Sequence, residues 1–554
     1  MTRLAALLGL AALVAPLGAP TGPPAPAAGP NRSYLVLYRS GSPEAGRIAI
    51  HRAGGTIVGE IPQIGLARVT SSNPRFLPQM NRSRAVVGAM VNLAIGHAPV
   101  PRVRGRDQRL GWEAGAPGRS PGAGRGGGRG PETFAERQWG MRMIDATVGG
   151  SYAIELGDPG VLVGIMDTGI DASHPDLAAN FSHELSRNFT KDIPSIDGAC
   201  ADDPDGSCHD PADVDEHGHG THVAGIVAAA LNGFGVSGVV PEVTLVSLRA
   251  GQDSGLFFLD ATLEGWIHAA DNGIDIVNMS FFTDPWLFNC LDNPKDAPRQ
   301  RREQLIIRKA TQRAIDYAHR HGVTLIASAG NESLDLGRPE SDVISPDHPP
   351  GASYRRVVDD SCTVVPTEAR HVLSVSALGP SGRKASYSNY GMDQIVVSAP
   401  GGDRRDLVGT PGYETPGTRI LSTYPLDLAA ADGTVDGDRC TALDPLRLTE
   451  DVDGACAVYA YFQGTSMSAP HASGVAAVVV SAHGVRDAVH GGLTMRPEDV
   501  RRILEDTAIE TPCPVPRDHH YPGFSEGGAY CAGRMQRNGF FGHGIVNALA
   551  AATS

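Results

Sequence analysis

The sequence predicts an α/β fold with a doubly wound, mostly parallel sheet, preceded by a small α+β unit. Six short, continuous apolar runs are typical of strands that are buried on both faces. Helical stretches between some of these runs favour right-handed crossovers between parallel strands. A length of 554 residues with 41% hydrophobic residues is sufficient for one large core. The runs are VLVGIM (161–166), VTLVSL (243–248), IDIVNMS (274–280), VTLIASAG (323–330), VLSVSA (372–377) and IVVSAP (395–400).

The clearest predicted helices are FLDATLEGWIHAADNG (258–273) and EQLIIRKATQRAIDYAHRHG (303–322). Gly322 is expected to end the second helix, because glycine readily adopts the left-handed conformation that terminates helices. In a doubly wound sheet, functional groups gather just beyond the carboxyl ends of the strands. Candidate site residues are therefore sought directly after the apolar runs.

The chain divides into four segments by composition. Residues 1–27 carry Arg3, then an apolar stretch, then Ala25-Pro26-Ala27, a pattern typical of a secretory signal peptide. Residues 31–97 contain four short strand-like stretches and predict an α+β unit. Residues 98–133 are rich in Arg, Gly and Pro and predict a flexible basic linker. Residues 134–554 hold the alternating strands and helices of the main domain.

The signal pattern predicts a secreted, extracellular protein that does not interact with a membrane after the signal is removed. The alternative, a membrane anchor, is less favoured because the chain has no run of about 18 uninterrupted apolar residues. A net charge of −14 argues against nucleic acid as a partner. The chain is expected to be a monomer.

Eight cysteines in an exported chain predict disulfide bonds. They allow 105 pairings, and no Cys-x-x-Cys spacing favours a zinc ribbon. We predict that neighbours in the sequence pair with each other. These pairs are Cys200–Cys208, Cys290–Cys362, Cys440–Cys456 and Cys513–Cys531.

The segment DEHGHGTHVAG (215–225) places His217, His219 and His222 within six positions. Such a cluster is compatible with three zinc ligands or with one catalytic base. His219 falls in the first turn of a predicted helix, whose dipole disfavours protonation and helps to keep a base neutral. His222, one turn further along, is expected to be a packed, hydrogen-bonded histidine.

Three other segments carry residues suited to acyl transfer. Asp167 follows a buried strand in VLVGIMDTGI and should emerge at the carboxyl edge of the sheet. Ser466, in GTSMSAPHASG, lies at the start of a helix, where free backbone N–H groups can stabilise an oxyanion. Asn331, in IASAGNES, can donate a second hydrogen bond to that oxyanion. Taken alone, each residue has a plain structural alternative: a strand-end aspartate, a helix cap or a turn asparagine.

Together, DTGID, HGTHVAG, AGNES and GTSMSAPHASG resemble the subtilisin-like serine proteases (subtilases), including their Asp, His, Ser chain order. The resemblance covers about residues 134–552. It implies a secreted endopeptidase in which Ser466 is the nucleophile, His219 the base and Asp167 the residue that orients it. Asn331 and the Ser466 N–H would form the oxyanion hole. The implied partners are polypeptide substrates and an inhibitory propeptide, which the resemblance assigns to residues 31–97.

The resemblance also implies a structural calcium ion bound by Asp176 and Asn232. The zinc hypothesis is not favoured, because Thr221 stands where an H-x-H-x-D-H pattern needs an aspartate. No zinc and no organic cofactor are therefore expected. The alternative function is that of a catalytically inactive subtilase relative that acts as a binding protein.

The substrate cleft departs from the family pattern in one wall. Substrate binding is expected along Ser280, Phe281 and Phe282 and along Ser328, Ala329 and Gly330. Phe281 and Phe282 replace the family's usual leucine and glycine, so this wall should be narrower or reshaped. The acidic loop 197–216 could favour basic substrate residues next to the cut or bind calcium, although a solvated loop is the plainer interpretation. The insertion 425–460 is a candidate for shaping the cleft.

Overall fold

The computed structural model describes residues 31–92, 132–200, 206–349, 351–521 and 528–554. The predicted signal peptide and almost all of the predicted linker lie outside these ranges. The helices of the described residues are α1 (Pro43–Arg52), α2 (Phe76–Met80), α3 (Trp139–Met143), α4 (His219–Ala228), α5 (Leu259–Asp271), α6 (Pro298–Arg320), α7 (Leu426–Ala431), α8 (Thr465–His483), α9 (Pro497–Asp506) and α10 (Ala548–Ala552).

The strands fall into three main sheets and several short hairpins. The longer strands and the edge strand β6 are β1 (Arg32–Tyr38), β2 (Thr56–Ile61), β3 (Leu66–Ser71), β4 (Val86–Val91), β5 (Leu162–Met166), β6 (Arg187–Asn188), β7 (Thr244–Arg249), β8 (Ile276–Met279), β9 (Thr324–Ser328), β10 (Val372–Leu378), β11 (Val397–Pro400), β12 (Ile420–Tyr424), β13 (Arg447–Val452) and β14 (Ala455–Phe462). Two-residue strands pair as Ser341–Asp342 with Arg356–Val357, Val435–Asp436 with Thr441–Ala442, Val485–Arg486 with Leu493–Thr494, Asp518–His519 with Ala529–Tyr530, and Gly533–Arg534 with Arg537–Asn538.

The main sheet has seven parallel strands in the order β11-β10-β9-β8-β5-β7-β6. Successive side chains of a strand point to opposite faces. In β5, Val163 and Ile165 therefore enter the core that holds α4 and α8, whereas Met166 enters the core that holds α5 and α6. The predicted doubly wound sheet is confirmed, and each of the six apolar runs contains one of its strands. The short edge strand β6 was not predicted.

The long helix α6 begins earlier than its apolar pattern predicted. It starts at Pro298, five residues before the predicted start at Glu303. Proline is well suited to the first helical position, because its N–H would have no intrahelical partner there. The helix ends just before Gly322, whose φ of 92° is in the left-handed region.

Residues 31–92 form a separate four-stranded antiparallel sheet in the order β2-β3-β1-β4. Alternation along β1 sends Tyr34 and Val36 into a core with α1 and α2. Leu35 and Leu37 point the other way and share a core with α5 and α6 of the main domain. The sheet of this α+β unit therefore docks on those two helices.

The insertion before the nucleophile contains an unpredicted antiparallel sheet in the order β12-β14-β13. Its central strand β14 ends at Phe462, three residues before α8 begins. The sheet therefore positions the start of the helix that carries Ser466.

The structure contains the four predicted disulfide bonds, Cys200–Cys208, Cys290–Cys362, Cys440–Cys456 and Cys513–Cys531. No helix in the part of the chain that the structure describes is long and apolar enough to cross a membrane.

Candidate active site

Asp167 and His219 form a buried pair at the carboxyl edge of the sheet. Asp167 directly follows β5 and is fully buried. Its Oδ1 lies 2.7 Å from Nδ1 of His219, the first residue of α4. The same oxygen accepts the N–H of Thr168 at 2.9 Å. A carboxylate in this position selects the imidazole tautomer whose Nε2 can accept a proton.

Glycine permits the close approach that this pair needs. A Cβ added at Gly220 would lie 2.1 Å from the carbonyl oxygen of Gly169. A Cβ added at Gly169, whose φ is 131°, would lie 2.1 Å from the carbonyl oxygen of Val214. Any side chain at either position would therefore push the start of α4 away from Asp167.

Asp215 fixes the loop that leads into α4. Its Oδ1 accepts the Thr168 hydroxyl at 2.8 Å and the N–H of Gly218 at 2.9 Å. Its Oδ2 accepts the N–H and hydroxyl of Thr221 at 2.8 and 2.6 Å. A buried carboxylate with several such donors holds its surroundings in one geometry. Asp215 therefore ties the strand that carries Asp167 to the helix that carries His219.

The environment of His219 suits a general base. Burial acts to lower the pKa of His219, but the charge and hydrogen bond of Asp167 outweigh it and raise the pKa above its ordinary value. His222 differs. Its Nε2 lies 3.0 Å from the carbonyl oxygen of Ala460, and its ring stacks on Phe462. Burial lowers its pKa to about 3, and these contacts match the predicted packed, hydrogen-bonded histidine.

Ser466 is the second residue of α8 and lines the same cleft as His219. Its hydroxyl donates to the carbonyl oxygen of Ser280 at 3.3 Å, and the Ser280 hydroxyl donates to the Ser466 carbonyl at 2.9 Å. The structure shows no hydrogen bond between Ser466 and His219. Catalytic hydrogen bonds are often loose before substrate is bound. A rotation about the Ser466 side chain would be needed to bring its hydroxyl to the base.

Asn331 is held with its amide N–H₂ free for a ligand. Its Oδ1 accepts both the N–H and the hydroxyl of Thr465 at 2.9 Å. The Thr465 hydroxyl in turn accepts the N–H of Gly330 at 3.0 Å. The N–H of Ser466 lies in the first turn of α8, where helix N–H groups lack intrahelical partners. These two donors belong to neighbouring walls of one cleft.

The two phenylalanines of the cleft wall play different parts. Phe281 is 5% exposed, and its ring stacks on Phe257 at a centroid distance of 4.2 Å. Phe282 packs partly against the cluster that contains Leu287 and Val364. Residues that line the cleft are His219, Ser280, Phe281, Phe282, Leu287, Ser328, Gly330, Asn331, Glu332, Val364, Thr367, Phe462, Gln463, Ser466 and Met467. Of the six expected substrate-binding residues, Ala329 is fully buried and does not line the cleft.

Glu332 is the one carboxylate among these lining residues. It accepts a hydrogen bond from Nδ2 of Asn389 at 2.6 Å. Burial raises the pKa of Glu332 above its ordinary value. The cleft lining therefore combines this one acidic group with aromatic, aliphatic and other polar side chains.

The two expected calcium ligands, Asp176 and Asn232, lie next to each other. Oδ1 of Asp176 accepts from Nδ2 of Asn232 at 3.1 Å, and its Oδ2 accepts the N–H of Val236 at 3.1 Å. The Tyr459 hydroxyl also hydrogen-bonds to Asp176. Calcium requires six to eight oxygen ligands. Asp176 and Asn232 alone supply only part of such a shell, and the calcium site stays a prediction.

With this geometry established, comparison with known proteins assigns the family. A family model described as "Subtilase family" matches residues 158–544. The chain belongs to the subtilase family. Fervidolysin of Fervidobacterium pennivorans is 26% identical over 399 residues, which are 71% of this chain and 43% of fervidolysin. Subtilisin DY of Bacillus licheniformis is 26% identical over 352 residues, 63% of this chain and 83% of that protein.

A solved structure shows the same fold over nearly the whole chain. This subtilase aligns with the epidermin leader peptide processing serine protease of Staphylococcus aureus at a TM-score of 0.59 and 19% identity. The alignment covers 94% of this chain and 98% of that one. This chain spans about half the length of fervidolysin and of the thermophilic serine proteinase of Bacillus sp. strain AK1, 43% and 55% respectively.

Sequence reasoning did not identify Thr465 and Asp215, two residues that orient the site. Thr465 is adjacent to Ser466 and fixes the Asn331 amide. Asp215 lies four residues before His219 and fixes the helix start. An aspartate just before a predicted helix is a known capping signal and could have indicated the role of Asp215. No pattern in the sequence links Thr465 to an asparagine 134 residues away.

Proposed function

We propose that this chain is a secreted serine endopeptidase that hydrolyses peptide bonds through an acyl-enzyme intermediate. The proposal rests chiefly on the buried Asp167–His219 pair, with its 2.7 Å contact, in a cleft that Ser466 and Asn331 also line. Family membership supports the same reaction class.

In the acylation step, the Ser466 hydroxyl gives up its hydrogen bond to the Ser280 carbonyl oxygen and donates instead to Nε2 of His219. Its Oγ attacks the scissile carbonyl carbon while the imidazole takes the hydroxyl proton. Asp167 stabilises the resulting imidazolium. The Asn331 amide and the Ser466 N–H bind the oxyanion more strongly than the original carbonyl oxygen, which lowers the barrier.

Collapse of the tetrahedral intermediate breaks the carbon–nitrogen bond, and His219 gives its proton to the leaving amine. A water molecule then attacks the ester on Ser466 and passes a proton to His219. The carboxylic acid leaves, and the Ser466 hydroxyl recovers the proton. The residues therefore act as acid and base in turn and are unchanged after one cycle.

The proposal includes export and an N-terminal inhibitor. Residues 31–97 are proposed to be the propeptide, supported by the docking of the described residues 31–92 on α5 and α6. Arg68 Nε of this unit contacts Oδ1 of Asp260 at 2.8 Å, and Arg313 of α6 donates to the carbonyls of Tyr38 and Ile64 at 2.9 Å. These ion and hydrogen bonds set the orientation, while the shared apolar core supplies the burial.

Incubation of the purified protein with unfolded casein tests the proposal, with mass spectrometry to locate new chain ends. We expect internal cleavage that Ser466→Ala abolishes and Ser468→Ala retains. Ser468 is the matched control because it is a buried serine on the same helix. A folded protein that binds casein without cutting it would support the binding-protein alternative and contradict the proposal.

A further inference from the structure

Three aspartates outside the catalytic centre, two buried and one half-buried, form a second cluster of oxygen atoms. Asp192, Asp210 and Asp253 each place a carboxylate oxygen within 4.8 Å of the others. Asp192 and Asp210 are each 3% exposed. They come from distant parts of the chain: Asp192 follows β6, Asp210 precedes the loop into α4, and Asp253 follows β7.

One arginine compensates only part of this charge. Arg249, which is fully buried, donates from Nη2 to Oδ2 of Asp210 at 2.7 Å and to Oδ1 of Asp253 at 2.5 Å. Three carboxylates therefore share a single guanidinium. Burying an uncompensated carboxylate is costly, so such groups are paired or bind metal ions.

Apart from the contact between the carboxyl groups of Asp192 and Asp253, which needs a proton to become a hydrogen bond, the oxygens that Arg249 does not reach have no donors among the described residues. These are both oxygens of Asp192, Oδ1 of Asp210 and Oδ2 of Asp253. Asp192 is decisive, because its side chain is almost completely buried, and an ionised Asp192 has no donor for either oxygen and only the Asp253 carboxylate beside it. Nearly all buried polar atoms in folded proteins have a partner, and an exception indicates a missing one.

We propose that Asp192, Asp210 and Asp253 bind one calcium ion. The available ligand atoms are all oxygens, which hard cations prefer. The three carboxylates offer the four oxygens that Arg249 does not reach, and water molecules would complete the shell. A divalent charge matches the two carboxylates that Arg249 leaves uncompensated. Calcium suits the site better than magnesium, because it accepts irregular carboxylate geometry without retaining several waters.

This ion would fasten the acidic loop in front of the catalytic base. The N–H of Asp192 donates to the carbonyl of Cys208 at 3.2 Å, and Cys208 is linked to Cys200. Arg249 also donates to the carbonyl of Val214, next to Asp215. The ion would therefore join both stems of the loop to the turn after β7 and support the position of His219.

Calorimetric titration of calcium chloride into the chelator-treated full chain tests the proposal. A Ser466→Ala background prevents self-digestion and makes the result independent of proteolysis. We expect Asp192→Asn and Asp253→Asn each to remove one bound calcium ion. Asp438→Asn, which changes an exposed aspartate of the insertion, should bind as much calcium as the parent.

Thermal unfolding gives a second readout, the rise in Tm that calcium causes. A substitution that only destabilises the fold would lower Tm but would leave this rise unchanged. Calcium should raise the Tm of the parent by roughly 5 °C or more at concentrations well above Kd. In chelator, Asp192→Asn should be at least as stable as the parent, because it relieves repulsion, but calcium should no longer raise its Tm. If Asp192→Asn does not fold, Asp253→Asn decides the matter alone.

The proposal is overturned if the parent binds no calcium or if both variants bind as much as the parent. It is also overturned if Asp176→Asn removes the ion while the cluster variants keep it, since the ion then lies at the site that the family resemblance implied.

Discussion

The catalytic centre and the wall of the adjoining cleft are held by different kinds of contact. The centre depends on short, directional hydrogen bonds to charged groups, such as Asp167 to His219 and Asp215 to Thr221. The wall depends on apolar packing, such as Phe281 on Phe257. Directional bonds require particular residue types, whereas packing tolerates any side chain of suitable shape. The centre therefore constrains the residue types at its positions more tightly than the wall does.

The largest expected effect is that of Asp167→Asn. The asparagine keeps the shape but removes the charge and favours the wrong His219 tautomer, so kcat should fall by about 10⁴. Steady-state kinetics with a peptide substrate would measure this loss. A fall of less than tenfold would contradict the assigned role of Asp167.

The pH profile of the same variant sharpens the test. Activity needs neutral His219, so it should be lost as pH falls through a pKa that Asp167 holds above the ordinary histidine value. Without the carboxylate, the effect of burial remains and lowers that pKa. The acidic limb of the kcat/KM profile of Asp167→Asn should therefore move to lower pH, and an unmoved limb would show that another group titrates.

Asn331→Ala should have the next largest effect. Loss of one oxyanion donor costs about 10²–10³ in kcat, a magnitude known from a subtilisin, with little change in KM. Thr465→Val should lower kcat less, because it removes only one of the two bonds that orient the amide. Thr465→Ser keeps that hydroxyl and serves as the control. Equal kcat values for the Val and Ser variants would contradict the orienting role.

The cleft wall should respond through specificity rather than rate. Phe282→Gly removes a ring that lines the cleft. The ratio of kcat/KM for substrates with a large residue before the cut to kcat/KM for substrates with a small residue there should therefore rise about tenfold. Phe288→Leu is the matched control: its ring is fully buried and does not line the cleft, so stability should fall by about 1–3 kcal/mol without a change in preference. Peptide-library profiling and chemical unfolding measure the two effects.

The smallest expected effect is that of Glu332→Gln. If the Glu332 carboxylate attracts basic side chains, the substitution should lower kcat/KM for Lys and Arg substrates by about twofold to fivefold. Because burial raises the pKa of Glu332, the difference should be full at high pH and vanish as pH falls through that pKa. If the parent and Glu332→Gln had the same preference for Lys and Arg substrates at high pH, a role of Glu332 in specificity would be contradicted.

The sequence predicted the parts of the molecule that depend on local patterns. Continuous apolar runs located six strands, and motif residues located Asp167, His219, Asn331 and Ser466. The sheet of the insertion was not predicted, since its register depends on pairing over distance, as in Ile420 with Phe462. Likewise, no local pattern reveals that Phe281 and Phe282 point into different surroundings. The Asp192 cluster joins residues that only the fold brings together.

The central claim is that Ser466 is an activated nucleophile. The most direct test is labelling of the folded protein with a fluorophosphonate probe, followed by peptide mapping, with heat-denatured protein and Ser466→Ala as controls. The account predicts one adduct, on Ser466, formed with loss of fluoride and absent from both controls. A folded, processed protein that forms no adduct, or forms it on another residue, would contradict the account and favour a binding-only subtilase relative.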